Sequence, residues 1–188
     1  MMETVKLEDD VSQLNQEENI HATLIGLTVD YLTRFMTGLS LKESFKISLI
    51  GATVIDDLDT VVTLLSDITG LDDNSITNAV MLTGYDVCFR SSPLGYRSIF
   101  ELLPNADTIE NIRIIVKRSI QFLEQYGPKV IDGFTFEGGY TNIVSTGDGD
   151  FIANDTLWDF KVLKTKPKKR TYSSVTYVLA YGVAFYSS

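Results

Sequence analysis

The residues best suited to chemistry lie in one stretch, residues 147–164, which reads GDGDFIANDTLWDFKVLK. An aspartate follows each glycine of its opening turn, and an Asp-Phe-Lys triplet follows the tryptophan. Neighbouring carboxylates repel one another unless a cation lies between them, and hard divalent ions prefer such oxygen ligands. A lysine beside them would stabilise charge that develops on a phosphate. The pattern points to metal-dependent cleavage of a phosphodiester.

Short strands are expected to position these residues. The segment from Gly133 to Lys164 is rich in aromatic, β-branched and turn residues, which predicts strands at 141–145, 150–153 and 156–162. Glycine at 147 and 149 and the Asn154-Asp155 pair supply turns. These turns join the strands into an antiparallel meander.

The period of a strand then brings the acidic groups together. Side chains alternate between the two faces of a strand, so Asp159 and Lys161 share one face, and Trp158 and Phe160 point to the other. Across the turn, Asp150 is expected to come close to Asp159 in an antiparallel pair. A bland alternative is an acidic hairpin in which Lys161 is incidental.

An aspartate on one strand followed by D-x-K on the next resembles the PD-(D/E)XK nuclease superfamily. The resemblance implies a Mg²⁺-dependent phosphodiesterase centre, in which Mn²⁺ could replace Mg²⁺, and it favours DNA as the substrate. Its catalytic roles map onto Asp150, Asp159 and Lys161 of this sequence. The two aspartates would hold the metal together with the backbone carbonyl of Phe160, and the lysine would position water or stabilise charge.

Two further acidic residues are possible members of this site. Asp148 is left in the glycine turn, because the Asp150-Phe151 pair better resembles the usual start of the strand in the superfamily. Glu137, in FTFEGG, could join the site or simply be a charge at the end of a strand. A calcium-binding EF-hand loop is excluded, since Ile152 and Ala153 occupy a ligand position and the turn-glycine position.

Charge is distributed unevenly along the chain. The formal net charge is −9, which disfavours non-specific binding of nucleic acid. Residues 161–170 nevertheless carry six cations and no acid. A phosphate backbone could be steered by the cations that follow the site, although a solvated loop explains them equally well. These residues are Lys164, Lys166, Lys168, Lys169 and Arg170.

The composition suits a cytoplasmic protein with a sizeable core. The chain has 188 residues, and the start, MMETVKLEDD, lacks the basic and apolar regions of a secretory signal. No apolar run is long enough to span a bilayer, so no membrane partner is expected. Cys88 is the only cysteine, which excludes an internal disulfide. The sequence leaves the oligomeric state open.

Helical periodicity dominates the first two thirds of the chain. Apolar stripes predict helices at 21–37, 55–69 and 74–89, and the clearest helix runs from Asp107 to the Gly127-Pro128 stop. Residues 90–105 read as a connection that contains a helical turn. His21 lacks a metal-binding partner and is interpreted as a helix-start residue. Asp73 or Asn74 is expected to cap the third helix.

The expected architecture follows from this order. We predict an α/β, restriction-endonuclease-like fold in which amino-terminal helices pack on a small mixed sheet that contains the antiparallel meander. Residues 1–19 would form an acidic flexible lead, and residues 20–188 a single nuclease-like domain. The alternative function is a non-catalytic module that retains this fold and binds nucleic acid or protein.

The tail, residues 171–188, departs from the superfamily. A helix bearing Gln and Tyr normally follows the Asp-x-Lys strand, whereas TYSSVTYVLAYGVAFYSS is typical of a strand or an apolar tail. Reading the codons of residues 171–186 one nucleotide later permits HTLQLLMYLLMGLHSI, an amphipathic helical sequence. We therefore hypothesise that the tail is out of frame relative to an ancestral gene.

Overall fold

The computed structural model describes residues 14–126 and, for the rest of the chain, the backbone of six strands. The chain divides into two compact units. The helical unit comprises Ser12–Lys117, and the strand unit comprises Met1–Val11 with Arg118–Ser188.

The helical unit contains seven described α-helices, the last of which continues beyond it. Helices make up 71% of residues 14–126, and no strand lies in that part. The α-helices are α1 Ala22–Met36, α2 Leu41–Ser44, α3 Lys46–Val54, α4 Leu58–Ser66, α5 Asp73–Thr83, α6 Asp86–Arg90 and α7 Ala106–Tyr126. Single 3-10 turns at Pro93–Gly95 and Ile99–Glu101 lie between α6 and α7, as the predicted connection with a helical turn requires.

The ends of α1 agree with the sequence prediction. The side chain of His21 accepts a hydrogen bond from the backbone N–H of Thr23 at 3.3 Å, so His21 is the amino-terminal cap of α1. Gly38, just past the carboxyl end, has a φ of 109°, a left-handed conformation that favours glycine. The interpretation of His21 as a helix-start residue is confirmed.

Other helix boundaries differ from the prediction. The cap of α5 is Asp72, whose side chain accepts from the backbone N–H of Ser75 at 3.0 Å, and not Asp73 or Asn74. The predicted helix at 74–89 is interrupted after Thr83, and α6 begins at Asp86. Helices α2 and α3 were not predicted at all.

The core of the helical unit is built between helices. Its fully buried apolar side chains come from α1, α3, α4, α5, α7 and the segments that join the helices. They include Val29, Leu32, Phe45, Val61, Ile76, Leu82, Tyr85, Ile99, Ile112 and Val116. Because the helices bury one another's apolar stripes, no sheet is required to cover those stripes.

A polar segment before α1 is fixed along α7. The side chain of Asn111 accepts a hydrogen bond from the backbone N–H of Asn15 at 2.7 Å and donates to its carbonyl at 2.9 Å. Nearby, Asn19 donates its backbone N–H to Thr108 at 3.1 Å and accepts from the backbone N–H of Asn105 at 2.9 Å. The buried side chains of Asn111 and Thr108 and the exposed side chain of Asn19 thus satisfy backbone groups that no helix or strand satisfies.

The strand unit contains β1 Thr4–Lys6, β2 Ile131–Thr135, β3 Asp148–Ala153, β4 Thr156–Val162, β5 Thr176–Ala180 and β6 Val183–Ser187. Their order in the sheet is β1-β5-β6-β4-β3-β2. Strand β1 pairs parallel with β5, and all other neighbours pair antiparallel. Strand β4 has the predicted bounds, β3 begins two residues earlier than predicted, and the predicted strand at 141–145 lies outside the described residues.

The predicted α/β, restriction-endonuclease-like fold is nevertheless wrong. It required amino-terminal helices packed on a small mixed sheet, whereas residues 14–126 are helical throughout their regular structure and bury their apolar faces against each other. An apolar stripe shows that one face of a helix is buried without showing what covers it.

No helix in the described part of the chain has the length and apolar character needed to cross a membrane.

Candidate functional site

The three predicted catalytic residues lie on neighbouring strands. Asp150 is in β3, and Asp159 and Lys161 are in β4. The two strands pair antiparallel with Phe151 opposite Trp158. Asp150 directly precedes Phe151 and Asp159 directly follows Trp158, so the two aspartates adjoin this pair at the same end of the ladder.

Strand β4 is an interior strand, with β3 on one side and β6 on the other. Asp159 is opposite Tyr186, and Lys161 is opposite Ala184. Asp159 and Lys161 are two residues apart and therefore belong to the same alternate set of positions. Because two neighbouring strands hold β4, the backbone that carries both residues is fixed on each side.

Of the other predicted site residues, some lie in the described strands and the rest do not. The backbone of Phe160 is opposite Phe185, and a carbonyl in a ladder retains a second lone pair. Asp148 lies in β3 opposite Thr135, rather than in the turn before the strand. Glu137 lies outside the described residues. So do the predicted nucleic-acid-binding residues Lys164, Lys166, Lys168, Lys169 and Arg170.

The chemistry of this donor set fits a hard divalent cation. Two carboxylates on adjacent strands and a backbone carbonyl are all oxygen donors, which Mg²⁺ and Mn²⁺ accept readily. Within residues 14–125, no group of three or more His, Cys, Asp or Glu side chains could hold a metal ion. The candidate metal ligands are Asp150, Asp159 and the backbone carbonyl of Phe160, all in β3 and β4.

A buried polar cluster in the helical unit was missed by the sequence analysis. The carboxylate of Asp86 accepts hydrogen bonds from the Tyr31 hydroxyl at 2.5 Å, the Ser48 hydroxyl at 2.6 Å and Nε of Arg90 at 3.3 Å. These donors belong to α1, α3 and α6. One carboxylate on α6 therefore connects three helices.

Burial is the main cause of the shifted pKa values in this cluster. It raises the pKa of Asp86, while the hydrogen bonds from Ser48 and Tyr31 and the charge of Arg90 oppose that rise. It also raises the pKa of the Tyr31 hydroxyl, which the adjacent Asp86 charge raises further. Asp86 is 2% exposed and Tyr31 is 4% exposed, so a substrate has no access to either group. The cluster holds the helices together and is not a catalytic site.

A second tyrosine–aspartate contact connects α4 with the segment that follows α6. The hydroxyl of Tyr85 donates to Asp57 at 2.5 Å, and its ring stacks on Tyr96 with the ring centroids 5.6 Å apart. Burial raises the pKa of the Tyr85 hydroxyl, and the hydrogen bond to Asp57 raises it further. Tyr85 thus joins the amino end of α4 to the 3-10 segment.

Sequence signals for these contacts were weak. Asp86 follows an apolar run and sits inside the predicted helix 74–89, where a lone aspartate is usually a solvated charge. Two of its three donors, Tyr31 and Ser48, are 55 and 38 residues away in the sequence. No spacing rule connects residues that far apart.

Comparisons with known proteins add no family to this description. No protein-family model matches the chain, and no curated protein and no solved structure was found to match it.

Proposed function

We propose that this chain is a Mg²⁺-dependent nuclease that hydrolyses DNA phosphodiester bonds in the cytoplasm. The observation that supports this proposal is the antiparallel register of β3 and β4, in which Phe151 is opposite Trp158 and Asp150 and Asp159 are the residues that adjoin this pair. Lys161 lies two residues further along the same interior strand. The proposal rests on these strands and does not require the helices to pack on them.

The residue roles follow from the chemistry of the donor set. Asp150, Asp159 and the carbonyl of Phe160 would hold the metal ion. Bound there, Mg²⁺ would supply a water of lowered pKa and would neutralise charge on the phosphate. The ammonium group of Lys161 would stabilise the negative charge that develops on the phosphate oxygens.

The charge distribution indicates where DNA would approach. Residues 12–117 contain fourteen Asp and Glu side chains and seven Lys and Arg side chains, which makes the helical unit repulsive to a polyanion. The stretch 161–170 carries six cations. DNA is therefore proposed to bind through this basic stretch, next to Lys161 in the sequence.

The test is cleavage by the purified full chain. Plasmid, single-stranded DNA and RNA are incubated with Mg²⁺, with Mn²⁺ and with chelator, and the products are resolved on gels. We expect metal-dependent cleavage of DNA that falls by about a hundredfold or more in Asp159→Asn and Lys161→Ala, since each removes charge stabilisation in the transition state.

A matched variant and a second measurement make the outcome decisive. Asp155→Asn changes a carboxylate that lies between β3 and β4 in the sequence and should cleave like the wild-type chain. Calorimetric titration with Mg²⁺ should show binding that Asp159→Asn weakens and Asp155→Asn does not. Cleavage that survives in both Asp159→Asn and Lys161→Ala would mean that the site is wrongly assigned or that the activity is a contaminant.

A non-catalytic binding protein is the second candidate. The observation that favours it is a set of exposed large apolar side chains in the helical unit, among them Leu94 at 97% and Phe100 at 64% exposed. Apolar side chains grouped on a surface commonly mark a contact with another protein. Absence of cleavage under every metal condition, together with absence of Mg²⁺ binding, would favour this candidate.

A further inference from the structure

The end of α6 and the segment that joins it to α7 carry several exposed apolar side chains. In this apolar loop, residues 89–103, Phe89 is 51% exposed, Leu94 97%, Phe100 64% and Leu103 57%. Leu94 lies in the 3-10 turn Pro93–Gly95, which is held on α6 because Gly95 approaches Val87. A leucine presented to solvent on an ordered turn is suited to be an anchor in an interface.

The apolar loop carries a net charge of +1, from Arg90 and Arg97 against the exposed Glu101. Arg90 and Arg97 are the only Lys or Arg residues between Lys46 and Arg113. Arg90 bonds to Asp86 and remains half-exposed, and Arg97 is exposed. The loop is therefore an apolar surface with arginines beside it, a combination that is enriched in protein interfaces.

A second apolar surface on the same unit has the opposite charge. Leu58 and Val62, one helical turn apart on α4, are 40% and 60% exposed, and Val54 at the end of α3 is 50% exposed. Exposed aspartates at 56, 59 and 67 lie before, within and after α4. Residues 47–89 contain no Lys or Arg. We call the exposed side of residues 54–67 the acidic face.

The apolar loop and the acidic face meet at Tyr85. The hydroxyl of Tyr85 binds Asp57, the residue that precedes α4, and its ring stacks on Tyr96 within the apolar loop. The buried side of Tyr85 is fixed as well, because α3 approaches its backbone at Gly51. A positive apolar surface and a negative apolar surface thus adjoin on one rigid part of the molecule.

We propose that the helical unit pairs with a second copy of this chain, the apolar loop of each copy docking on the acidic face of the other. Two adjoining surfaces of opposite charge are self-complementary about a twofold axis, because each copy supplies what its partner lacks. Both apolar surfaces are covered in a single interface. A partner of one charge would match only one of the two surfaces.

Sedimentation of the full chain over a wide range of concentration tests this pairing. We expect the wild-type chain to dimerise, and to dimerise more weakly as salt is raised, since the opposite charges are screened. Leu94→Asp places an acid on the apolar loop, and Val62→Lys places a base on the acidic face. Each variant alone is expected to weaken dimerisation by about tenfold or more.

Mixing the two variants gives the decisive result. In the mixed dimer, the intact loop of Val62→Lys meets the intact face of Leu94→Asp, and the two altered surfaces carry opposite charges. The mixture should therefore dimerise where each variant alone does not. Met36→Asp, a like change at a 41% exposed residue ending α1, should dimerise like the wild-type chain. Circular dichroism of each variant checks that the helices are retained.

Three outcomes would overturn the proposal. The first is a wild-type chain that is monomeric at every concentration. The second is a dimer that neither Leu94→Asp nor Val62→Lys weakens, which would locate the interface elsewhere. The third is a mixture that stays monomeric while each variant is folded, which would exclude pairing of the loop with the face. None of these outcomes depends on nuclease activity.

Discussion

Asp86 connects three helices of the helical unit through hydrogen bonds. Its two carboxylate oxygens accept from groups on α1, α3 and α6, and it is 2% exposed. A buried carboxylate is stable only when its oxygens are hydrogen-bonded, and removal of one donor leaves a buried group unsatisfied. The pKa of Asp86 is nevertheless raised, because the effect of burial outweighs that of the hydrogen bonds and of the Arg90 charge.

This raised pKa predicts how stability depends on pH. The folded chain holds the Asp86 proton more tightly than the unfolded chain does. The resulting stabilisation is fully present below the unfolded-state pKa of about 4 and is lost as the pH rises through the folded-state pKa. Relative to Asp86→Asn, the unfolding free energy of the wild-type chain should therefore fall as the pH is raised above about 4. Urea unfolding at a series of pH values measures this difference.

Asp72 provides a control of opposite sign. Hydrogen bonds from Ser75 lower the pKa of Asp72, so its contribution is present above its unfolded-state pKa and is lost as the pH falls through the folded-state value. Asn is also a good helix cap, which makes Asp72→Asn a conservative change. The wild-type chain should gain stability over Asp72→Asn as the pH rises. Differences of the same sign at both positions, or none at Asp86, would refute the prediction.

At the scale of elements, the sequence patterns identified the helices that carry an apolar stripe. They missed α3, whose buried face is made of small residues. Helices α1 and α7 lie within one residue of their predicted ends. The buried residues of α3 are Ser48, Gly51 and Ala52, so its core face carries no large apolar side chain. Small residues let two backbones approach closely, but hydrophobic periodicity does not register them.

Gly51 makes this close approach testable. A Cβ atom at Gly51 would meet the carbonyl oxygen of Tyr85 well inside van der Waals contact, and a backbone atom cannot move aside easily. Gly51→Ala should therefore lower the unfolding free energy by about 1–3 kcal/mol, as overpacking does in other cores. Gly70→Ala, where nothing lies within 4 Å, is the matched control. Equal urea midpoints for Gly51→Ala and Gly70→Ala would show that α3 and α6 separate without cost.

At the scale of the whole molecule, two compact units share one chain, and the boundary falls inside α7 between Lys117 and Arg118. The sequence of α7 shows no break there, because a helix can continue through the end of a compact unit. The tail forms β5 and β6, and β6 pairs with β4, the strand that carries Asp159 and Lys161. The tail thus provides one of the two neighbours of the candidate catalytic strand.

The coding DNA tests whether this tail replaced an ancestral helix. Reading residues 171–186 one nucleotide later yields glutamine at the fourth position only if Ser174 is encoded by TCA. We expect TCA at that codon, and codons throughout 171–186 that permit HTLQLLMYLLMGLHSI. Sequencing the gene is the measurement. Any other serine codon at position 174 would remove the glutamine and reject the hypothesis.

The sequence by itself determined which segments are strongly periodic and which residues are candidates for catalysis. The stripes of α1 and α7, the cap at His21 and the bounds of β4 depend on local spacing, which a sequence displays directly. Only the tertiary structure decided that the helices cover one another, that Asp86 joins three of them, and that two surfaces of opposite charge meet at Tyr85. Those features join residues distant in sequence, and a pattern of burial does not specify which element provides the cover.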